Sequence, residues 1–131
     1  MRIDAKSRIA ALREGSIKRD GGCILRHYPE AGECGGYRND GELILQADHL
    51  NSRANSVSYG DLGNVVCLCQ RHHIFWKKQN PFAFTFIVAK PIGPERWTLV
   101  QKFIVDKKPY RMTLYDWQKI AMGLRAEIDA L

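Results

Sequence analysis

Two short runs decide the fold: Asp48-His49-Leu50, and Asn64-Val65-Val66-Cys67-Leu68-Cys69-Gln70-Arg71-His72-His73. The first closes an apolar stretch, Glu42 to Asp48, that reads as a strand; Asn64 to Cys69 is β-branched and apolar and reads as a second. Between them, residues 51–63 hold Ser, Asn and Gly and form a long polar loop. After them, Gln70 to Lys78 carries His73 and Lys77 at i, i+4, which a helix puts on one face. Strand, loop, strand and helix thus gather Asp48, His49, Asn64 and the His72-His73 pair in one small unit.

Outward from that unit, cysteine is the next signal. Cys69-Gln70-Arg71-His72 places a thiol and an imidazole one tight turn apart, a spacing zinc accepts. Cys23 and Cys34 can supply the other pair, with His27 as a substitute for Cys34, while Cys67 reads as a small apolar strand residue. Free thiols and two disulfides are the other uses open to four cysteines. The beginning of the chain has no apolar run before a small-residue cleavage site, so the expected setting is a reducing cytoplasm, where disulfides are disfavoured.

The flanks read as helices. Ala5 to Arg19 has Ile9, Leu12 and Ile17 at moderate helical spacing until Lys18-Arg19-Asp20-Gly21-Gly22 breaks it, so an N-terminal helix is expected at about 4–19. Residues 28–42 read as loop around Cys34. Pro81 to Lys90 is ambiguous: Phe82, Phe84 and Phe86 alternate as in a strand, yet Pro81 and Pro91 suit the two ends of a helix. Gly93-Pro94-Glu95 opens a further helix with Trp97, Val100, Phe103 and Ile104 on one side. Thr113-x-x-Asp116 is a capping box before Leu114, Trp117, Ile120, Ala121, Leu124, Ile128 and Leu131 at helical period. Trp76, Trp97 and Trp117 read as packing anchors rather than base-stacking platforms.

With 131 residues the chain has room for one domain, and no stretch nears the ~20 apolar residues that span a bilayer. A 45% hydrophobic composition is too apolar for a wholly disordered chain. The net charge of +6 favours polyanions, nucleic acid first, but no basic tail concentrates it. Arg53 in the polar loop, and Arg71, Lys77 and Lys78 with no acid between residues 70 and 80, are the candidate phosphate contacts. Lys102, Lys107, Lys108 and Arg111 form a second basic stretch that reads as solvated surface.

Order and spacing together resemble the HNH endonuclease family over about residues 18–79. Lys18-Arg19-Asp20-Gly21-Gly22-Cys23 resembles the family's lead into a first zinc ligand. Asp48-His49-Leu50 and Asn64 to Cys69 resemble its two strands. The resemblance implies an α+β chain with a zinc-stabilised ββα-metal core and flanking N- and C-terminal helices, the extension covering about 81–131. It implies His49 as general base, and Asp48 and His73 as ligands of a catalytic Mg²⁺ or Mn²⁺, with Ni²⁺ as a substitute. Asn64 would bind the ion or fix the loop that orients His49. It implies structural zinc on Cys23, Cys34, Cys69 and His72. DNA would be the substrate, and the tail is similar in style to small phage-borne HNH proteins, which implies a host cytoplasm and packaging or recombination partners. The alternative is a zinc-stapled DNA-binding or adaptor module with little or no turnover. Two departures stand out. Lys77 lies where some branches have a further histidine. Cys69-x-x-His72-His73 replaces a Cys-x-x-Cys knuckle, which also admits a register with His72 as the catalytic ligand.

Overall fold

The computed structural model describes residues 5–50, 61–105 and 113–131. Within them the chain is α+β. Helix α1 (Ala5–Asp20) leads through a loop to strand β1 (Leu45–His49), which pairs antiparallel with β2 (Val65–Cys69). A π-helical turn, Arg71–Trp76, runs into α2 (Lys77–Gln79), followed by α3 (Pro81–Ile92), α4 (Pro94–Val105) and α5 (Leu114–Asp129). None of the described helices is long and apolar enough to cross a membrane.

The sheet is the partition between two cores. Pairing runs Ala47↔Cys67, Asp48↔Val66 and His49↔Val65, and alternate side chains take opposite faces. On one side Ala47 and Val65 pack with Leu12 of α1, Leu62, and Leu124 and Ile128 of α5. On the other, Val66 and Leu68 pack with Cys23, Ile24, Leu25, Trp76 and with Phe84, Ile87 and Val88 of α3. Every residue of β2 is buried because both of its faces are covered. Each fully buried Leu or Ile, such as Leu12 or Ile128, contributes about 1.5–3 kcal/mol to this burial.

Helix α1 ends where Gly21 and Gly22 adopt φ of 73° and 145°, a region that favours glycine. Inside it, Gly15 has a packing purpose: a Cβ there would lie 2.8 Å from Ile128 and 2.9 Å from Leu62. Its absence lets α5 and the segment before β2 close on the helix.

The ambiguous 81–90 segment is helical. Phe84, Ile87 and Val88 form an i, i+3, i+4 stripe that meets the core, and Pro81 starts the helix where its missing N–H is no loss. The alternation that suggested a strand instead leaves Phe82 and Phe86 exposed, at 83% and 75%. Pro91 falls within the last turn rather than beyond it. Trp76 is buried, as expected of an anchor, and Trp97 is partly buried against the same core. The Trp117 side chain, like Arg53, Lys107, Lys108 and Arg111, lies outside the described residues.

The capping box of α5 is formed. Thr113 Oγ1 accepts from the Asp116 N–H at 3.2 Å, and Asp116 Oδ2 accepts from the Thr113 N–H at 2.9 Å. The Thr113 backbone N–H first, and then the Thr113 hydroxyl, which also donates to Oδ2, hold the Asp116 carboxyl below its usual range. The contribution of the box is therefore complete above the ordinary carboxylate pKa and is lost as pH falls through the depressed one. Replacing Thr113 by Ala is expected to cost about 1 kcal/mol in urea denaturation, with Ser restoring most of it. An unchanged midpoint for Thr113→Ala would show that α5 is held by packing alone.

Candidate functional site

Cys23, Cys34, Cys69 and His72 come together from four places in the chain. Cys23 follows the glycines that end α1, Cys34 sits in the loop between residues 28 and 42, Cys69 ends β2, and His72 lies in the π-helical turn. His72 Nδ1 is 3.0 Å from Cys69 Sγ, 3.5 Å from Cys23 Sγ and 3.8 Å from Cys34 Sγ. The four ligand atoms lie within 4.8 Å of one another. Tetrahedral zinc with its usual bond lengths sets neighbouring ligands about 3.5–3.8 Å apart. The four residues thus form a cluster that could hold a metal ion such as zinc. Cys67 stands outside the cluster, and His27 is exposed and takes no place in it.

The surroundings set the orientation and protonation of the four side chains. His72 Nε2 is 3.0 Å from the Ala31 carbonyl, which can only accept, so Nε2 carries the hydrogen and Nδ1 faces the sulfurs. Cys69 is drawn down to about 3 by the Cys23 thiol donating to it, against the effect of burial, with help from His72 and the Gly35 backbone. Cys23 is pushed up by that same bond and by burial, and Cys34 chiefly by burial. Burial opposes protonation of His72, yet the bond to Cys69 carries its pKa upward. The outlying Cys67 thiol is pushed up to about 12 by burial and the nearby Asp20 charge, which keeps it neutral.

Arg71 fastens the loop that carries Cys34. Its Nη1 donates to Glu33 O at 2.6 Å and Ala31 O at 3.1 Å, while its N–H donates to Gly35 O. Gly32, at φ 74°, lets the guanidinium approach: a Cβ there would be 2.8 Å from Nη2. The Arg71 guanidinium is therefore engaged with backbone carbonyls, whereas Lys78 is exposed.

The second constellation begins at His73, the residue after His72 in the π-helical turn. Asp48, 2% exposed, meets His73 Nδ1 at 2.7 Å through Oδ1 and Lys77 Nζ at 2.7 Å through Oδ2. The i, i+4 spacing of His73 and Lys77 thus serves one carboxylate. His72 and His73, adjacent in sequence, face different centres, the first the sulfur cluster and the second Asp48.

Asn64 is fully buried at the threshold of β2. Its carbonyl accepts from Leu50 N–H at 2.8 Å, tying the end of β1 to the start of β2. Two arginines that the sequence did not single out brace this segment. Arg19 donates to Leu62 O at 2.8 Å and Val65 O at 2.6 Å, and is paired with Asp20. Arg96 donates to Gly63 O at 2.9 Å and also to Val65 O. Burial first, then the charge of Arg19, draws Arg96 down to about 10. Arg19 lies in the quoted run that leads to Cys23, but nothing in the sequence marks either arginine for this bracing; only the folded chain brings α1 and α4 to these carbonyls.

His49 is half-buried and pairs with Val65, so it leaves the strand on the side opposite Asp48. Strand pairing continues through His49, and the chain bends at Leu50. A cleft of about 750 Å³ opens beside Asp48, His73, Lys77 and Lys78, and runs back along α3 and α4.

Compared with protein family models, curated proteins and solved structures, the chain matches none.

Proposed function

We propose that this chain is a zinc-braced, metal-dependent DNA endonuclease with a ββα-metal core of the HNH type. One observation carries it: Asp48 from a strand and His73 from the helical turn after the next strand, 25 residues apart, meet at 2.7 Å. His49 follows Asp48 along β1 and Asn64 immediately precedes β2, in the order the family resemblance implies.

The donor set fits a hard divalent ion. Ligands about 2.1 Å from an octahedral Mg²⁺ stand about 3 Å from each other, close to the Asp48–His73 spacing. Asp48 and His73 would hold such an ion, Mg²⁺ or Mn²⁺, with water completing its shell. When bound, the ion supplies charge neutralisation on a phosphate oxygen and on the leaving oxygen. His49 takes the proton from the attacking water, since a neutral imidazole titrates near pH 6.5 and accepts protons at neutral pH. Asn64 fixes the junction of the two strands on which Asp48 and His49 sit. Lys78, with Lys77 when it leaves Asp48, supplies positive charge to the DNA backbone. Cys23, Cys34, Cys69 and His72 take a structural zinc.

Two observations favour a second reading, a zinc-stapled DNA-binding or adaptor module. Lys77 Nζ already neutralises Asp48, and His49 leaves β1 on the face opposite that carboxylate. Supercoiled-plasmid cleavage with Mg²⁺, Mn²⁺ and Ni²⁺ in turn decides between them. The nuclease produces nicked or linear plasmid that depends on the added ion and stops with chelator. A purified, zinc-loaded protein that binds DNA but leaves plasmid and branched DNA intact with all three ions is the binding module.

A further inference from the structure

The cleft beside Asp48 is chemically two-ended. Asp48, His73, Lys77 and Lys78 line one part, and Ile74, Phe84, Val88, Trp97 and Val100 another. Phe84, Val88 and Val100 are buried to within 4% of full burial and back this wall as part of the core, while Ile74, 41% exposed, and the partly buried Trp97 present its open apolar surface. Trp76 backs Phe84 with ring centroids 6.4 Å apart, which holds the aromatic wall in place. Polar and apolar parts touch directly, because Lys77 Nζ lies 4.8 Å from the centre of the Phe84 ring.

We infer that this cleft receives an unpaired nucleobase, and that the DNA acted on is single-stranded or carries an unstacked nucleotide at a flap or branch. The inference rests on the nuclease reading above for the identity of the polymer. A phosphate drawn to Lys77 and Lys78 brings a base of the same strand next to the apolar wall. About 750 Å³ is a typical volume for a small-ligand pocket and is ample for a base and its sugar. A base has two apolar faces that pack on aromatic and aliphatic side chains whatever its sequence, and polar edges that Thr85 and Gln101, also in the lining, can meet. In an intact duplex those faces are stacked on neighbouring pairs, and a base must leave the stack to enter a pocket. The cleft therefore discriminates by whether a base is free.

The test uses the zinc-loaded full chain, a ten-residue oligothymidylate and a duplex of equal length, without added Mg²⁺ or Mn²⁺ so that binding is read apart from cleavage. Fluorescence anisotropy is expected to show the single strand binding at least about 10-fold more tightly than the duplex, the loss of one base–aromatic stack being worth about 5- to 150-fold. Thr85→Phe is an exposed helical change that obstructs the cleft without removing core. It is expected to bring single-strand affinity down to the duplex value while duplex affinity stays. Because Trp97 lines the cleft, part of the tryptophan quenching on single-strand binding is expected to disappear in Trp97→Phe. Equal or tighter duplex binding, or a Thr85→Phe protein with undiminished single-strand affinity, overturns the inference. Plasmid cleavage then separates the two claims. Cut plasmid without a single-strand preference leaves the nuclease and removes the base pocket. A preference abolished by Thr85→Phe in a protein that cuts nothing leaves the pocket and removes the nuclease.

Discussion

Stripping zinc from the Cys23, Cys34, Cys69 and His72 cluster is expected to lower the melting temperature by more than about 20 °C. A structural zinc contributes about 10–16 kcal/mol to folding at neutral pH, as much as the whole stability of a typical domain. Here Cys23 and Cys69 are themselves members of the core that faces α3, so loss of the ion removes the bonds that would tie four separate segments of chain together at that core. Cys69→Ser should produce the same collapse, seen as lost near-ultraviolet circular dichroism and about one zinc fewer per chain by atomic absorption. Cys67→Ala is the matched control. It also removes a buried thiol from β2, but from outside the cluster, and should keep the zinc at a cost of about 1 kcal/mol. A purified protein that holds no zinc and melts at one temperature with or without chelator would show that the cluster is only a set of packed thiols.

The second large effect concerns the proposed chemistry. His49→Ala is expected to reduce metal-dependent plasmid cleavage by about 10²- to 10⁴-fold, the usual contribution of a positioned acid or base. DNA affinity should stay within about twofold, because affinity comes from phosphate contacts at other residues. Asp48→Asn, nearly isosteric, should give a comparable loss and require more Mn²⁺ for half-maximal cleavage. The fold of both variants is checked by their melting temperatures and zinc content. Equal cleavage by wild type and His49→Ala would remove His49 as the base, a real alternative given that Asp48 and His49 leave the strand on opposite sides.

The parts of this molecule legible in its sequence are those fixed by short-range chemistry. The second strand falls within a residue of the β-branched run that marks it, the first begins three residues later than its apolar run, and the Thr113 box sits where its two side chains announce it. The Cys/His cluster was readable because metal ligands come from a short menu of residue types, even though Cys23 and Cys34 are far from the usual knuckle spacing. Phe82, Phe84 and Phe86 were not decidable, since the same three rings satisfy a strand period while Phe84, Ile87 and Val88 satisfy a helical one. Only the presence of a core beside one stripe settles it. Arg71 and Lys77 illustrate another limit. Their charge is visible in sequence, but not that one would be spent on loop carbonyls and the other on Asp48. Arg19 and Arg96 were invisible for the same reason, their partners being main-chain oxygens that any residue carries.

Arg71, His72 and His73 serve three places in succession: the loop carbonyls, the sulfur cluster and the Asp48 carboxylate. For the molecular history of such a chain this makes segment length a heritable trait in its own right. A one-residue deletion or duplication between Cys69 and Arg71 would swing all three side chains to wrong neighbours at once. Point replacement can explore this segment; insertion and deletion cannot. Lineages descended from it should therefore vary in identity here long before they vary in spacing.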